Sequence, residues 1–174
     1  MNRVLLLTGK PGTGKTALIR EAISRTKIRA GGFYTEEIRT GGVRQGFRIV
    51  TLDGQQAVLA NVNICSPYQV SKYKVDIDSL DRVGVPAVHR ALKEYDVTII
   101  DEIGKMELLS LQFKEVVRQA IDSGKRVLGT IMLGPHPFAD EIKSHLQVEL
   151  LPVSRENHDQ ALRGILRWLE MTTK

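Results

Sequence analysis

The chain has 174 residues, 42% of them hydrophobic, and a formal net charge of +5. This length allows one sizeable hydrophobic core but is short for two, so we expect a single domain over residues 1–174. The only cysteine of the chain, Cys65, excludes an intramolecular disulfide and a cysteine-based zinc site.

The positive charge is compatible with a nucleic acid or with a small polyanionic ligand such as a nucleotide. Aromatic residues make up only 5% of the chain and the basic residues form no tract, which disfavours nucleic acid as a partner. No apolar run approaches the roughly 20 residues of a membrane span, and no leader pattern precedes the first apolar run. We therefore expect a cytoplasmic protein without a membrane partner, either a monomer or a weak oligomer.

Apolar runs typical of buried strands alternate along the chain with amphipathic stretches of helical spacing. Strands are predicted at residues 4–7, 98–101, 127–131 and 148–151. Helices are predicted at residues 15–25, 85–93, 111–122 and 157–169. This alternation is typical of an α/β fold in which helices flank a mostly parallel sheet.

The alternation is interrupted over residues 31–61 by shorter runs with a period of two. Gly41 and Gly42 form a turn signal between two such runs, which predicts a β-hairpin. An Asp-Gly pair then marks a further turn into a third run. We expect an antiparallel β insertion at one edge of the parallel sheet. Residues 65–81, which are rich in polar side chains, are predicted to form a long loop.

A phosphate-binding loop pattern, G-x-x-x-x-G-K-[ST], directly follows the first predicted strand. It begins at Gly9, and Lys15 and Thr16 complete it where the first helix starts. Glycines let such a loop turn tightly and aim backbone N–H groups at an anion. The lysine of the pattern reaches the β- and γ-phosphates, and the Ser/Thr hydroxyl binds Mg²⁺. The predicted nucleotide-binding residues of this loop are Gly9, Lys10, Pro11, Gly12, Thr13, Gly14, Lys15, Thr16 and Ala17.

Two adjacent carboxylates, Asp101 and Glu102, end the second predicted strand. Ligands of open α/β sheets collect at the carboxyl ends of the parallel strands, so Asp101 is expected near the phosphate loop. Carboxylate oxygens bind Mg²⁺ directly or through water, which makes Asp101 and Thr16 the predicted metal ligands. Glu102 is the predicted general base for an attacking water, and Lys15 is the second predicted catalytic residue. The alternative for the two acids alone is a strand that ends in solvated carboxylates.

The chain also resembles the small nucleoside-triphosphatases, the family of the cancer-related nucleoside-triphosphatase and its thermophile homologues. The resemblance covers nearly the whole chain and is carried by DEIGKMEL from residue 101, GFYTEE from residue 32, GF at residue 46 and REN from residue 155. It implies a RecA-like P-loop NTPase core and Mg²⁺-dependent hydrolysis of nucleoside triphosphates to the diphosphate and phosphate, with loose base selectivity. The partners that it implies are ATP, GTP, CTP and UTP.

Two accessory residues are expected at the same edge of the sheet. Lys105 lies just after Glu102, where it either steadies phosphate charge or forms an ion pair with Glu107 or Glu37. Thr130 lies near the end of the third strand. Its hydroxyl either contacts the γ-phosphate or the attacking water, or satisfies a backbone group.

The loop before the last helix is expected near the base and ribose of a nucleotide. Asn157 offers both a donor and an acceptor to a base edge, but either it or Ser154 also suits the helix N-cap. Arg155 either stacks on the base or stays in solvent. The β insertion carries three arginines, Arg39, Arg44 and Arg48. We interpret them as solvated charges at the sheet edge, or else one of them is an arginine finger.

Hydrolysis of nucleoside triphosphates is the leading hypothesis, and a small nucleotide or metabolite kinase is the alternative. A kinase needs an acceptor pocket, for which the β insertion and residues 65–81 offer material, although no arginine-rich lid is evident. A GTP-dependent switch is disfavoured because the chain has no N-K-x-D motif. A nucleic-acid motor is disfavoured because the chain is too short for a second motor domain.

Overall fold

The computed structural model describes residues 2–171, so residue 1 and residues 172–174, the two ends of the predicted domain, lie outside the described part. Its strands are β1 (Val4–Thr8), β2 (Ala30–Thr40), β3 (Val43–Thr51), β4 (Gln56–Asn61), β5 (Gln69–Val70), β6 (Tyr73–Val75), β7 (Val97–Ile103), β8 (Val127–Ile131) and β9 (Val148–Pro152). Its α-helices are α1 (Lys15–Ser24), α2 (Ile77–Ser79), α3 (Val85–Glu94), α4 (Leu111–Asp122), α5 (Pro137–Lys143) and α6 (His158–Glu170). A π-helical turn at Leu80–Gly84 joins α2 to α3. A 3-10 turn at Glu107–Leu109 precedes α4.

These strands form one sheet in the order β5-β6-β4-β3-β2-β7-β8-β1-β9. Strands β2, β7, β8, β1 and β9 are parallel neighbours, with Leu5 of β1 opposite Leu128 of β8 and Glu149 of β9. Each strand and helix predicted for the parallel core is present, with its ends displaced by two residues at most. The α/β prediction is confirmed, and the carboxyl ends of the parallel strands meet at one edge of the sheet.

Helices cover both faces of the parallel strands because these strands are apolar on both sides. On one face Leu6 lies in a core with Phe113 of α4, and on the other Leu7 lies in a core with Ile19 of α1 and Ile165 of α6. Each of these side chains is at most 1% exposed, and burying one stabilises the fold by about 1.5–3 kcal/mol. The strand ends that carry polar residues therefore project from a rigid three-layer core.

Strand β2 belongs to both parts of the sheet. Residues 30–33 pair in parallel with residues 97–100 of β7, and the strand then continues as the antiparallel partner of β3. Gly41 and Gly42, with φ values of 57° and 78°, form the turn between β2 and β3. The predicted hairpin is therefore confirmed. The antiparallel strands extend the sheet beyond β2, at one edge of the parallel strands, as predicted for the insertion.

The prediction of a long loop over residues 65–81 is wrong. This segment forms the short antiparallel pair β5 and β6 and the single helical turn α2. Tyr73 and Val75 are buried, and the Asp76 side chain caps α2 by accepting a hydrogen bond from the Ser79 N–H. Strands of two or three residues are too short to show a period in the sequence. Helix α5 was not predicted for the same reason.

None of the helices found within residues 2–171 combines the length and apolar composition that crossing a membrane requires.

Candidate active site

The phosphate loop lies between β1 and α1 and folds around the side chain of its own lysine. Lys15 Nζ donates hydrogen bonds to the carbonyl oxygens of Gly9 and Lys10, each at 3.0 Å. Gly14 has a φ of 81°, a left-handed conformation that favours glycine, where the chain enters α1. The loop thus holds an ammonium group beside a helix N-terminus, and both favour binding of a phosphate.

Asp101 lies near the carboxyl end of β7 and joins that strand to the phosphate loop. Its Oδ2 accepts a hydrogen bond of 2.7 Å from the Thr16 hydroxyl, and its Oδ1 accepts one of 2.6 Å from the Thr130 hydroxyl. The Thr35 backbone of β2 lies close enough to this carboxylate to lower its pKa. Burial raises the pKa of Asp101, and the hydrogen bonds from Thr130 and Thr16 oppose that rise. Hydrogen bonds from α1 and β8 together fix the position of this carboxylate on β7.

The contact that Thr130 makes differs from the interpretation that its hydroxyl satisfies a backbone group. Its hydroxyl donates to a carboxylate and not to a backbone group, and the residue is 1% exposed. It therefore orients Asp101. The GFYTEE segment also contributes here because the Thr35 backbone lowers the pKa of Asp101, an effect that depends on how β2 lies against β7.

Glu102 and Glu107 place two carboxyl groups against Gly104. A Cβ atom added to Gly104 would lie 3.0 Å from Glu102 Oε1 and 3.1 Å from Glu107 Oε2. Burial raises the pKa of Glu102, and the neighbouring Asp101 charge raises it further. Burial raises the pKa of Glu107 well above its ordinary value, and the charge of Glu102 adds to that rise. Two carboxyl groups this close and this buried disfavour simultaneous ionisation.

Glu107 is a site residue that the sequence analysis named only as an ion-pair partner of Lys105. It is 4% exposed, whereas Lys105 is exposed and takes part in none of the ion pairs found within residues 2–171. The pairing of Lys105 with Glu107 or Glu37 is therefore wrong. The apolar neighbours Met106 and Leu108 are the sequence signal that could have indicated burial of Glu107.

Glu107→Gln is expected to stabilise the folded protein at alkaline pH. Because the pKa of Glu107 is raised above its ordinary 4.5, the folded chain holds this proton to higher pH than the unfolded chain. The neutral carboxyl of Glu107 contributes to the free energy of unfolding. This contribution is fully present below pH 4.5 and is lost as the pH rises through the raised pKa. At about pH 8 we therefore expect the variant to be more stable than the wild type, and this advantage should shrink as the pH is lowered toward 5.

Urea unfolding at several pH values between about 5 and 8.5, without nucleotide or Mg²⁺, measures this difference. Glu94→Gln makes the same chemical change at an exposed position and serves as the control. Equal pH slopes for wild type and Glu107→Gln would show that Glu107 is ionised in the folded protein.

The Asn157 side chain, in the loop before α6, hydrogen-bonds to the backbone of its own loop. Asn157 Oδ1 accepts a hydrogen bond of 2.8 Å from the Ser154 N–H, and Asn157 Nδ2 donates one of 2.9 Å to the Pro152 carbonyl. Asn157 occupies the N-cap position of α6 but makes no side-chain cap hydrogen bond. The side chain thus fixes the shape of its own loop, and Arg155 beside it is exposed. Ala17 is exposed in the first turn of α1.

The three arginines of the β insertion all form ion pairs with two neighbouring glutamates. Arg48 pairs with Glu36, and both Arg39 and Arg44 pair with Glu37. Arg20 of α1, which the sequence analysis did not consider, also pairs with Glu36, at 2.7 Å. All three arginines are partly exposed and ion-paired, but β2 and β3 each pair with a neighbouring strand on both sides, so the interpretation as edge charges is wrong. The two acids of the GFYTEE segment, Glu36 and Glu37, are therefore occupied by ion pairs with arginines.

A sequence model described as NTPase matches residues 4–166, a stretch that includes the phosphate loop, Asp101 and Glu102. This chain belongs to the NTPase family. The resemblance drawn from the sequence motifs is confirmed.

Named relatives of this NTPase extend over nearly its full length. Nucleoside-triphosphatase THEP1 of Thermotoga sp. (strain RQ2) is 47% identical over 166 residues, which is 95% of each chain. The cancer-related nucleoside-triphosphatase of Homo sapiens is 36% identical over 190 residues, with both chains covered completely.

Solved structures of two such proteins have the same fold. The crystal structure of THEP1 from Aquifex aeolicus aligns with a TM-score of 0.88 at 37% identity, covering 96% of this chain and 99% of its own. The solution structure of a human cancer-related nucleoside triphosphatase aligns with a TM-score of 0.82 at 36% identity, covering all of both chains. This NTPase family member therefore has the P-loop NTPase fold.

Proposed function

We propose that this protein hydrolyses nucleoside 5′-triphosphates to the diphosphate and phosphate in a Mg²⁺-dependent reaction. The observation that carries the proposal is the 2.7 Å hydrogen bond between Thr16 and Asp101. It joins the phosphate loop to the end of β7 that also bears Glu102. The groups proposed to bind phosphate, to hold the metal ion and to orient the attacking water therefore lie at one place. The names of its relatives, which are nucleoside-triphosphatases, support the same activity.

The Thr16 and Asp101 oxygens fit a magnesium ion. A hydroxyl and a carboxylate oxygen that already lie 2.7 Å apart are hard oxygen donors of the kind that Mg²⁺ prefers. Mg²⁺ in nucleotide enzymes is held by few protein groups, together with phosphate oxygens and water. When bound, the ion neutralises charge that develops on the phosphate oxygens. Thr130 holds the other carboxylate oxygen of Asp101 and so keeps the residue oriented.

The remaining groups of the site supply charge and a proton acceptor. Lys15 and the N–H groups of the loop bind the β- and γ-phosphates, since the lysine exchanges its bonds to the Gly9 and Lys10 carbonyls for phosphate oxygens. Glu102 orients the attacking water and accepts its proton. Its raised pKa makes it a stronger base than an ordinary carboxylate, which suits proton transfer near neutral pH.

We propose broad base selectivity, with ATP, GTP, CTP and UTP all accepted. The supporting observation is that both polar ends of the Asn157 side chain are occupied within its own loop. Arg155 is exposed beside that loop, and an arginine stacks on any base because every base has a π-face. Asn157 is therefore proposed to support the nucleotide-binding loop and not to read the base edge.

We propose that residues 1–174 act as one domain, as a monomer or weak oligomer, with no nucleic acid as partner. The ion pairs of Arg39, Arg44 and Arg48 support the last point, because arginines paired with glutamates are less available to phosphates of a nucleic acid. A reducing, cytoplasmic setting suits the exposed free thiol of Cys65.

A phosphate-release panel tests the function. Ribo- and deoxyribonucleoside triphosphates are each incubated with the protein and Mg²⁺, with and without metabolites and nucleosides as phosphoryl acceptors. We expect phosphate release without an acceptor, similar rates for the four common bases, and loss of activity with EDTA. Nucleotide consumption that requires an acceptor would instead indicate a kinase, and a strong preference for one base would contradict the proposed selectivity.

A further inference from the structure

His158, the first residue of α6, contacts the phosphate loop from outside. Its Nε2 lies 2.5 Å from the carbonyl oxygen of Thr13, and a carbonyl oxygen only accepts, so the imidazole donates this hydrogen bond. The ring also lies against Gly14, where an added Cβ atom would be 2.8 Å from both Cε1 and Nε2 of the imidazole. A histidine is thus packed directly on the loop and bonded to it.

This hydrogen bond fixes the direction of a phosphate-binding group. The Thr13 carbonyl and the Gly14 N–H belong to one peptide unit, which is planar and in which the two groups point in opposite directions. Because His158 holds the carbonyl toward α6, the Gly14 N–H points away from α6. Loops of this pattern bind phosphates through such inward N–H groups, so the bond sets one donor in place before a ligand arrives.

The connection from β9 to α6 also meets the chain where β1 passes into the phosphate loop. The Val153 N–H donates a hydrogen bond of 2.7 Å to the Thr8 carbonyl, and an added Cβ atom on Gly9 would lie 2.3 Å from the Val153 carbonyl oxygen. Asn157 closes the segment between these contacts through its bond to the Ser154 N–H. The segment of residues 153–158 therefore contacts the phosphate loop twice, at Gly9 through Val153 and at Thr13 and Gly14 through His158.

We infer that His158 is a positioning residue that holds the phosphate loop in its binding shape, so that affinity for the triphosphate chain depends on it whichever base is attached. The inference rests on the proposed function to the extent that the loop binds polyphosphates. Both the neutral Nε2–H tautomer and the imidazolium donate this bond, so no change of charge is needed. His158 acts through Thr13 and Gly14 and makes no contact with the reacting atoms.

His158→Phe and His158→Gln test the inference. Phenylalanine keeps a ring against Gly14 but removes the donor, whereas glutamine carries an N–H donor at nearly the same reach. The probes are inorganic tripolyphosphate, ATP and CTP, with dissociation constants measured by titration calorimetry. We expect His158→Phe to weaken all three by a similar factor of about tenfold, the loss of one ordinary hydrogen bond, and His158→Gln to stay within about threefold of wild type.

Three results would overturn the inference. Unchanged tripolyphosphate affinity in His158→Phe would show that the bond does not position the loop. A loss seen for ATP but not for tripolyphosphate would make His158 a base or ribose contact. A loss of the same size in His158→Gln would leave the donor without a role. If His158→Phe does not fold, His158→Asn, whose amide is too short to reach Thr13, replaces it in the same comparison.

The binding readout separates this inference from the proposed function. A wild-type protein that binds tripolyphosphate but releases no phosphate from ATP would contradict the hydrolase proposal and leave the role of His158 standing. Hydrolysis of ATP by wild type, together with normal tripolyphosphate affinity in His158→Phe, would support the hydrolase proposal and contradict the role of His158.

Discussion

Glu102→Gln is expected to lose most phosphate release, by about 10²–10⁴-fold in kcat, while nucleotide binding is retained. Glutamine keeps the size and hydrogen-bonding reach of the side chain but cannot accept the proton of the attacking water. Because Glu102 is placed one residue beyond Asp101, the change leaves the carboxylate that the Thr16 and Thr130 hydroxyls hold in position untouched. Binding of Mg²⁺-ATP should therefore change little, or tighten as a negative charge is removed.

Steady-state phosphate release and calorimetric titration with Mg²⁺-ATP measure the two quantities separately. Glu94→Gln makes the same charge change on the exposed end of α3 and should behave as wild type in both. A Glu102→Gln protein with unchanged kcat would remove Glu102 from the role of general base. Parallel loss of binding and turnover would mean that Glu102 serves the metal ion or the fold instead.

Lys15→Met is expected to lose about 10²–10³-fold in kcat/KM, because a charged donor aimed at the transferring phosphoryl group is removed. Methionine approximates the unbranched side chain of lysine without its charge. Unlike Glu102→Gln, this variant should also bind ATP more weakly, since Lys15 contacts phosphate both before and during the reaction. In the protein alone Lys15 bonds to two carbonyls of its loop, so some loosening of the loop is also expected.

Lys10→Met is the matched control for Lys15→Met. It removes the same charge from the same loop, but the Lys10 side chain is exposed and only its backbone carbonyl takes part in the loop. Phosphate release and ATP titration should show a small effect of Lys10→Met and a large effect of Lys15→Met. Equal effects of the two substitutions would mean that net positive charge, and not the position of Lys15, governs binding.

The parallel core could be predicted from the sequence because its strands are continuously apolar and its helices are long enough to show their period. Runs such as residues 4–7 and 127–131 are continuously apolar, and the helices between them carry apolar residues at helical spacing. The phosphate loop follows from a pattern whose spacing is dictated by the geometry of phosphate binding. The short elements β5, β6 and α5 could not be predicted, since two to seven residues hold too few repeats of either period.

The site was predictable as a set of chemical groups but not as a set of contacts. Asp101 and Thr16 were placed together by the rule that ligands lie at strand ends, and the structure brings them to 2.7 Å. The bond from Thr130 to Asp101 depends on the register between β7 and β8, which composition does not reveal. His158 could not be predicted as a site residue because its contacts, Thr13 and Gly14, are distant in sequence. Glu107 could not be predicted as one because its position beside Glu102 depends on the course of the turn at Gly104.

The central claim is that water attacks the γ-phosphorus of a bound nucleoside triphosphate. Reaction of Mg²⁺-ATP with the wild-type protein in H₂¹⁸O, without any phosphoryl acceptor, tests it directly through mass spectrometry of the products. We expect a single ¹⁸O atom per molecule in the released inorganic phosphate and none in the ADP. Appearance of ¹⁸O in the nucleotide product, or no release of phosphate unless an acceptor is present, would contradict the claim.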